Sequence, residues 1–397
     1  MDTLVTILLF LFVFCLIVVS HEFGHYIVAK LNGIRVIEFG IGMGPKLCGF
    51  KKGGTEYCIR LLPIGGACIY DMDEDELTGG DVTSREAADM LRKAQVGELT
   101  GRVPKTEEGA EAVNEAGRDD SFLNEKNGIA FTKAGVWRRI AVVLAGPIFN
   151  FILAYLLALI VVWNTGSTSP VINNVTEGYP AEEAGMQSGD IITEMNGSKV
   201  YLATEIYVNT YINKDKTMDI KFLRDGKEME VSVTPKYNEE EGRYLVGFNG
   251  YGKYVTCKNS GVFRYAYYEV RYGFVGTVKS LLMMLAGDGS KDDVAGPVGM
   301  AQIIGETKDA AAPYGVWAVF LNMFNIAMLL SVNLGILNLL PLPAIDGGRL
   351  IFLVVEAIRG KPVPPEKESI VHLVGFALLL VLMVFVMYND IMRLITA

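Results

Sequence analysis

The sequence predicts a membrane α-helical protein of about four transmembrane helices, with a membrane-associated β-hairpin and one inserted extracytoplasmic α+β module. Three observations carry that prediction. Long, nearly uncharged apolar blocks stand near residues 3–30, 140–163, 314–342 and 370–388, each about the ~20 residues that a bilayer core requires. The hydrophobic share is 51% and the mean hydropathy +0.31, high for a chain that also carries 20% charged residues. Between the second and third blocks lies a polar stretch of ordinary soluble composition, long enough for a domain of its own.

Charge and cysteine usage exclude some classes. A net charge of −9 and a pI near 5.1 leave no basic surface for nucleic acid. The five cysteines, Cys15, Cys48, Cys58, Cys68 and Cys257, form no C-x-x-C pair, and only Cys257 falls in the part expected outside the cell, so no disulfide framework is expected.

The first helix (1–32) ends in SHEFGHYIVAK. His21 and His25 are four residues apart, so on a helix both imidazoles lie on one face and can reach one metal ion, with Glu22 beside them as a general base. Two of the chain's three histidines fall in this motif, at a depth where ionisable groups are costly and mark functional sites. A cleaved signal peptide is the rival reading, but the only charge before the apolar run is Asp2 and no small-residue cleavage site follows. Lys30 and Arg35 come after the run and place the following loop in the cytosol.

Residues 33–72 are β-formers broken by glycines and prolines, with KKGGT as a hairpin turn. The edge of such a hairpin can hold an extended peptide by strand addition, with glycines letting two backbones approach closely. Residues 73–127 form an acidic cytosolic insert, expected to be partly disordered, with one short amphipathic helix in SREAADMLRKAQVGEL. The second span (136–164) follows Lys133, Arg138 and Arg139, a cytosolic flank, and carries AGPIFN, in which Asn150 reads as a helix-gluing polar group.

Residues 167–237 alternate strands and short helices, with Asn196–Gly197 and Asp225–Gly226 as hairpin turns. The stretch GYPAEEAGMQSGDIITEMNG resembles bacterial PDZ domains, which bind extended peptides or chain ends. The resemblance makes Gly178, Tyr179, Ala181, Gly185 and Ile191 groove candidates. A rigid size filter is the equal alternative. Residues 238–312 read as an extracytoplasmic or interfacial segment with an amphipathic helix at 261–286. The third span (313–343) is asparagine-rich, and a cytosolic loop (344–368) carrying Asp346 precedes the fourth span (369–392).

A catalytic zinc takes three protein ligands. After His21 and His25, the candidates for the third are Asp346, at the cytosolic end of the third span and followed by Gly347–Gly348, His372 and the cysteines. HEFGH in the first span together with NLLPLPAIDGG at the third closely resembles the site-2 proteases, intramembrane zinc metalloproteases. FGIGMGPKL, LPIGG, AGPIFN and AGPVG occur in the family's order, and the likeness is greatest to the bacterial RseP/RasP-type branch, here with a single PDZ module. The resemblance implies one catalytic Zn2+ held by His21, His25 and Asp346, Glu22 as base, and a substrate held by Asn338, by Phe39, Gly40, Gly42 and Gly44 of the β loop, and by Pro341 and Pro343. It also implies single-span membrane protein substrates in the bilayer, such as anti-sigma factors in sigma-factor signalling or signal-peptide remnants. The setting is the bacterial cytoplasmic membrane, with both termini and the PDZ module outside and the active site toward the cytosol. The alternatives from other classes are an ion-coupled transporter and an inactive PDZ scaffold.

Overall fold

The computed structural model describes residues 2–72, 128–239, 241–252, 254–287 and 296–396. The acidic insert at 73–127, with its expected helix, lies outside the described residues. In chain order, α1 (Asp2–Leu31) leads into β1 (Val36–Lys52), β2 (Thr55–Tyr70) and α2 (Val136–Thr165). Next come β3 (Ser167–Thr168), β4 (Ile172–Val175), α3 (Pro180–Glu183), β5 (Ile191–Met195), β6 (Ser198–Lys199) and α4 (Ala203–Asn213). They are followed by β7 (Met218–Arg224), β8 (Lys227–Val233), β9 (Lys236–Asn238), β10 (Arg243–Leu245), β11 (Phe248–Tyr251) and β12 (Tyr254–Val255). Helices α5 (Gly261–Leu285), α6 (Pro297–Ala311), α7 (Val316–Leu339), α8 (Asp346–Arg359) and α9 (Pro365–Thr396) complete the chain.

Among the described residues four helices, α1, α2, α7 and α9, are long and apolar enough to cross a bilayer. Only 11% of the most apolar stretch of α1 and 6% of that of α9 is buried, against 44% in α2 and in α7. Apolar surface left uncovered on that scale needs lipid as its solvent. The chain forms two compact units, residues 1–153, 295–319 and 334–397 in one and 154–294 with 320–333 in the other.

In the first unit, α1 and α2 cross where neither carries bulk. A Cβ on Gly24 would stand 2.5 Å from the Ala145 carbonyl oxygen, so that glycine permits the approach. Residues 344–368, expected as a loop, instead contain the 14-residue α8. Its Leu350, Leu353 and Ala357 recur at helical spacing and pack against Ile140, Val142 and Val143 of α2 and Ala29 of α1. Arg139 of α2 pairs with Glu356 of α8. At the far end of α9, the buried Asp390 accepts hydrogen bonds from Gly299 N–H at 2.7 Å and Gly296 N–H at 3.2 Å, which caps α6 and accounts for the AGPVG stretch.

The expected hairpin is folded twice. Its turn at Gly53 (φ 57°) and Gly54 (φ 73°) is where KKGGT placed it, and Lys46–Lys52 pairs antiparallel with Thr55–Arg60. Val36–Ile41 is then flanked on both sides: Phe39 lies opposite Cys68 and also Tyr57, and Gly40 opposite Ala67 and also Cys58. On the Cys68 side the register numbers run in opposite senses, and on the Tyr57 side they rise together. The result is four limbs in the order 66–70, 36–41, 55–60, 46–52. At its centre Arg60 is buried and donates to Glu38 Oε1 at 2.5 Å and to the Gly44 carbonyl at 3.0 Å. Cys58 Sγ donates to the same Glu38 oxygen at 3.2 Å. Burial pushes the Cys58 thiol up to about 11 and the Cys68 thiol up to about 12, so both remain neutral thiols.

The second unit is built on the sheet β6-β5-β7-β8, with β11 paired to β4 and β12 to β3. Its core joins Ile172, Ile192, Met195, Ile206, Ile220 and Phe222 to Val246 and Phe248. The module therefore runs on to Val255, beyond the boundary at 237 expected from sequence, because strands from the later segment complete its sheets. The turns at Asn196–Gly197 and Asp225–Gly226 have positive φ at both residues, as paired hairpin turns require. Asp190 is buried and accepts from Nε and Nη2 of Arg224, each at 2.7 Å. Helix α5 is held to α4 by Arg271 on Glu205 at 2.5 Å and Lys279 on Asn209 at 2.7 Å. Ser167 donates to Glu269 at 3.0 Å, and burial pushes that carboxyl above its usual range.

Removing one partner of a buried ion pair costs about 3–5 kcal/mol because the other charge stays buried. Arg60→Ala is therefore expected to loosen the four-limbed sheet. In folded wild-type protein a thiol-alkylating reagent should modify the exposed Cys48 and spare Cys58, and in Arg60→Ala both should react. Mass spectrometry of the labelled peptides checks this.

Candidate active site

The three predicted ligands meet, although Asp346 lies more than 300 residues from the histidines. His21 Nε2 stands 2.9 Å and His25 Nε2 3.2 Å from Asp346 Oδ2, and the two Nε2 atoms are 3.1 Å apart. Their rings meet edge to face at 86°. Among the described residues this is the one group of three His, Cys, Asp or Glu side chains whose ligand atoms converge, here all within 4.8 Å.

Each ligand is set by something outside itself. His25 Nδ1–H donates to the Val142 carbonyl at 2.8 Å, which fixes the tautomer and leaves Nε2 as a lone pair. The Asn150 carboxamide lies 3.1 Å from His21 Nδ1. The atom placed there is the amide nitrogen; turning the carboxamide by about 180° brings its oxygen to the ring, where it would accept the Nδ1 proton and free Nε2 in the same way. Asn150 is fully buried, and what reads from sequence as helix glue is a partner of the metal-site histidine. No composition signal separates the two roles. The clue is that AGPIFN stands on a helix that faces the HEFGH turn.

The donor set fits a zinc ion. Two imidazole lone pairs and a carboxylate oxygen aimed at one another are a set that only a cation or a proton can join, and zinc favours these atom types. Ligands about 2.0–2.1 Å from a tetrahedral ion stand roughly 3.3 Å apart, close to the separations seen. The space is kept open by Gly146, where a Cβ would stand 2.4 Å from His25 Nε2 and 2.6 Å from His21 Cε1. Glu22 is half-buried on the next position of α1. Gly66 of β2 passes so close that a Cβ there would lie 2.5 Å from Glu22 Cγ, and the Cys68 backbone N–H reaches its carboxylate.

Asp346 opens α8, and the chain before it is folded tightly over that helix. A Cβ on Gly347 would meet the Leu340 carbonyl oxygen at 1.9 Å, and one on Gly348 the Leu342 oxygen at 2.5 Å. Neither position admits a side chain. Ala344 has φ 72°, a left-handed conformation that costs a non-glycine residue about 1–3 kcal/mol. Pro341 is exposed and Pro343 half-buried on the same turn. Asn338 is half-buried near the end of α7, and among the described residues no hydrogen bond ties it to the three ligands.

The remaining predicted residues are distributed differently. Phe39 and Gly40 lie on the inner limb of the sheet with neighbours on both sides, so no substrate strand can be added at them. Phe39 packs against Tyr26, ring centroids 5.2 Å apart. Gly42 and Gly44 (φ 91° and 87°) form the bend that follows. In the second unit, a cavity of about 240 Å³ opens between α4 and the 237–248 segment, lined by Tyr207, Tyr211, Lys214, Tyr237, Arg243 and Phe248 among others. None of Gly178, Tyr179, Ala181, Gly185 and Ile191 lines it. Ala181 is a core residue, and Gly178 and Gly185 (φ 76° and 74°) are turn positions.

A His–His–Asp cluster with a glutamate on the adjoining position, its two histidines on a helix long and apolar enough to cross a bilayer, has the donor set of a metallohydrolase centre. The model of peptidase family M50 matches residues 9–382, and the chain belongs to that family. Similar curated proteins include the regulator of sigma-W protease RasP of Bacillus subtilis, 35% identical with 98% of this chain and 99% of that one covered. The zinc metalloprotease RasP of Bacillus licheniformis is 34% identical over 98% and 99% of the two chains. Among solved structures, a PDZ domain of an SdrC-like protein from Listeria monocytogenes aligns with 20% of this chain and 82% of that one, at 20% identity and a TM-score of 0.18.

Gly146→Ala is expected to push both imidazoles off the point they share. The purified protein should then hold less than about a tenth of the wild-type zinc while keeping its helical content, as metal analysis and circular dichroism would show.

Proposed function

We propose that the chain is an intramembrane zinc metalloprotease that cleaves peptide bonds within the transmembrane segments of single-span membrane proteins. The convergence of His21, His25 and Asp346 beside Glu22 carries this reading. When bound, zinc supplies a Lewis acid and lowers the pKa of water toward about 7. Glu22 takes the proton of the attacking water and passes it to the leaving amide nitrogen, a role its place next to His21 suits. Val142 and Asn150 hold the two imidazoles, so the ligand geometry needs no rearrangement during the reaction.

A helical substrate hides its scissile amide and must be extended before it is cut. The limb at Gly66–Tyr70 runs beside Glu22, and among the described residues no strand covers its outer edge. Strand addition there would lay an unwound segment past the catalytic glutamate. Asn338, Gly42, Gly44, Pro341 and Pro343 complete the substrate path in this proposal. The cavity between α4 and the 237–248 segment is the peptide-capturing groove of the PDZ module.

The orientation follows from charge. Lys30 and Arg35, Lys133, Arg138 and Arg139, and Arg359, Lys361 and Lys367 flank the ends of the spans nearest the metal site, which sets that side toward the cytosol and the module with both termini outside. The name of one similar protein, a regulator of sigma-W protease, points to sigma-factor signalling, and an anti-sigma factor is the substrate class in this proposal. Neither the transporter nor the scaffold has an observation in its favour, and the family is one of peptidases.

Glu22→Gln should keep about one zinc per chain and lower the cleavage rate of a single-span reporter in detergent by about 10²–10⁴-fold. Asp346→Ala should lose zinc as well as activity. Cleavage by the Glu22→Gln protein at the wild-type rate would sink the proposed role of Glu22.

A further inference from the structure

The chain's third histidine takes no part in the ligand triangle. His372 stands on α9, and its Nδ1 accepts a hydrogen bond from the Ala344 backbone N–H at 2.9 Å. The ring is therefore neutral with its proton on Nε2, a buried atom with no hydrogen-bond partner and 3.7 Å from Glu368 Oε1. Ala344 is the residue held in the left-handed region at φ 72°, two positions before Asp346. Three residues along α9, Gly375 makes the seat for the same turn: a Cβ there would lie 2.1 Å from Pro343 Cβ. Phe352 of α8 lies against the imidazole, with ring centroids 5.7 Å apart.

The turn at 340–345 is thus pressed between two surfaces, Gly347 and Gly348 of α8 on one side and His372 and Gly375 of α9 on the other. Among the described residues the three other positive-φ non-glycine residues, Asn196, Lys214 and Asp225, lie in the second unit. Asparagine and aspartate adopt this conformation readily because their side chains can bond the local backbone. Ala344 has no such group, and its conformation is tied down from outside by the imidazole of another helix.

We propose that His372 is a positioning residue for the metal-binding carboxylate: by accepting the Ala344 N–H it holds the turn that delivers Asp346 to His21 and His25. The proposal rests on the metal-site reading above. It assigns to the fourth span a part in the metal site that involves no ligand atom. It also makes a stereochemical demand, since the acceptor must sit at the δ position of the side chain. Asparagine meets that demand with Oδ1. Glutamine places its acceptor one bond too far, and leucine has none.

The test is zinc retention by the full-length, zinc-loaded protein in detergent under excess chelator, with kcat and KM for a single-span reporter measured in parallel. H372L and H372Q should lose zinc about tenfold faster than wild type, and H372N within about twofold of it. Cleavage in H372L should fall in kcat with little change in KM. Glycine takes the left-handed conformation without a tether, so A344G/H372L should return to within about threefold of wild type. Equal zinc loss from wild type and H372L overturns the proposal, as does a glutamine variant that protects as well as asparagine, or a double variant no better than H372L. If H372L fails to fold, the comparison of asparagine with glutamine decides. A wild-type chain that holds no zinc overturns the metal-site reading and this proposal together, whereas zinc present with equal loss rates overturns this proposal alone.

Discussion

Everything in the first unit depends on how closely α1 and α2 can approach. Two imidazoles and a carboxylate with their lone pairs facing one another repel, and in an apolar surrounding that repulsion is barely screened. The arrangement holds only if the backbone around it is rigid and a cation joins the three groups. Gly24 lets the α1 backbone rest against the Ala145 carbonyl, and Gly146 leaves the gap into which both rings turn. From that approach follow the Val142 and Asn150 contacts, each of which fixes one ring while its Nε2 faces the common point.

The carboxylate is located by a different route. Asp346 starts a helix, and that helix is docked by its apolar face and by the Arg139–Glu356 pair before any metal is considered. Helix docking sets position to within a side chain's reach, and the turn before Asp346 sets the rest. Gly347 and Gly348 let that turn lie on the helix's first residues. The catalytic neighbourhood is thus supported from several directions, as a site needing sub-ångström geometry must be.

How much of this was legible in the sequence depends on how local each feature is. His21, Glu22 and His25 were readable because helical spacing alone puts two imidazoles on one face. Asp346 was readable as one of several candidates, and as a ligand only through family resemblance, since no spacing argument reaches across more than 300 residues. The span positions followed from apolar length. The double folding of the β segment was hidden, because the pairing of 36–41 with 55–59 depends on register between limbs and not on residue type. The PDZ-like motif marked the module, and its five groove candidates do not line the cavity found there. Its glycines and Ala181 meet backbone and packing requirements at a turn, whereas the cavity takes its walls from α4 and from strands beyond the expected boundary. Asn150 read as helix glue and His372 as one of several third-ligand candidates, because the helix each one faces cannot be read from the sequence.

The distribution of the ligands along the chain has a consequence for biosynthesis. His21 and His25 enter the membrane with the first span, but Asp346 is made only 321 residues after His25, past the end of the third. Until that turn has been inserted and seated, the two histidines have no third partner and Glu22 has no centre to serve. A stalled or truncated product therefore lacks the means to cut its neighbours. By splitting its ligand set between the first span and the turn after the third, the molecule acquires a safeguard that needs no inhibitory segment: it becomes competent only once both are in place.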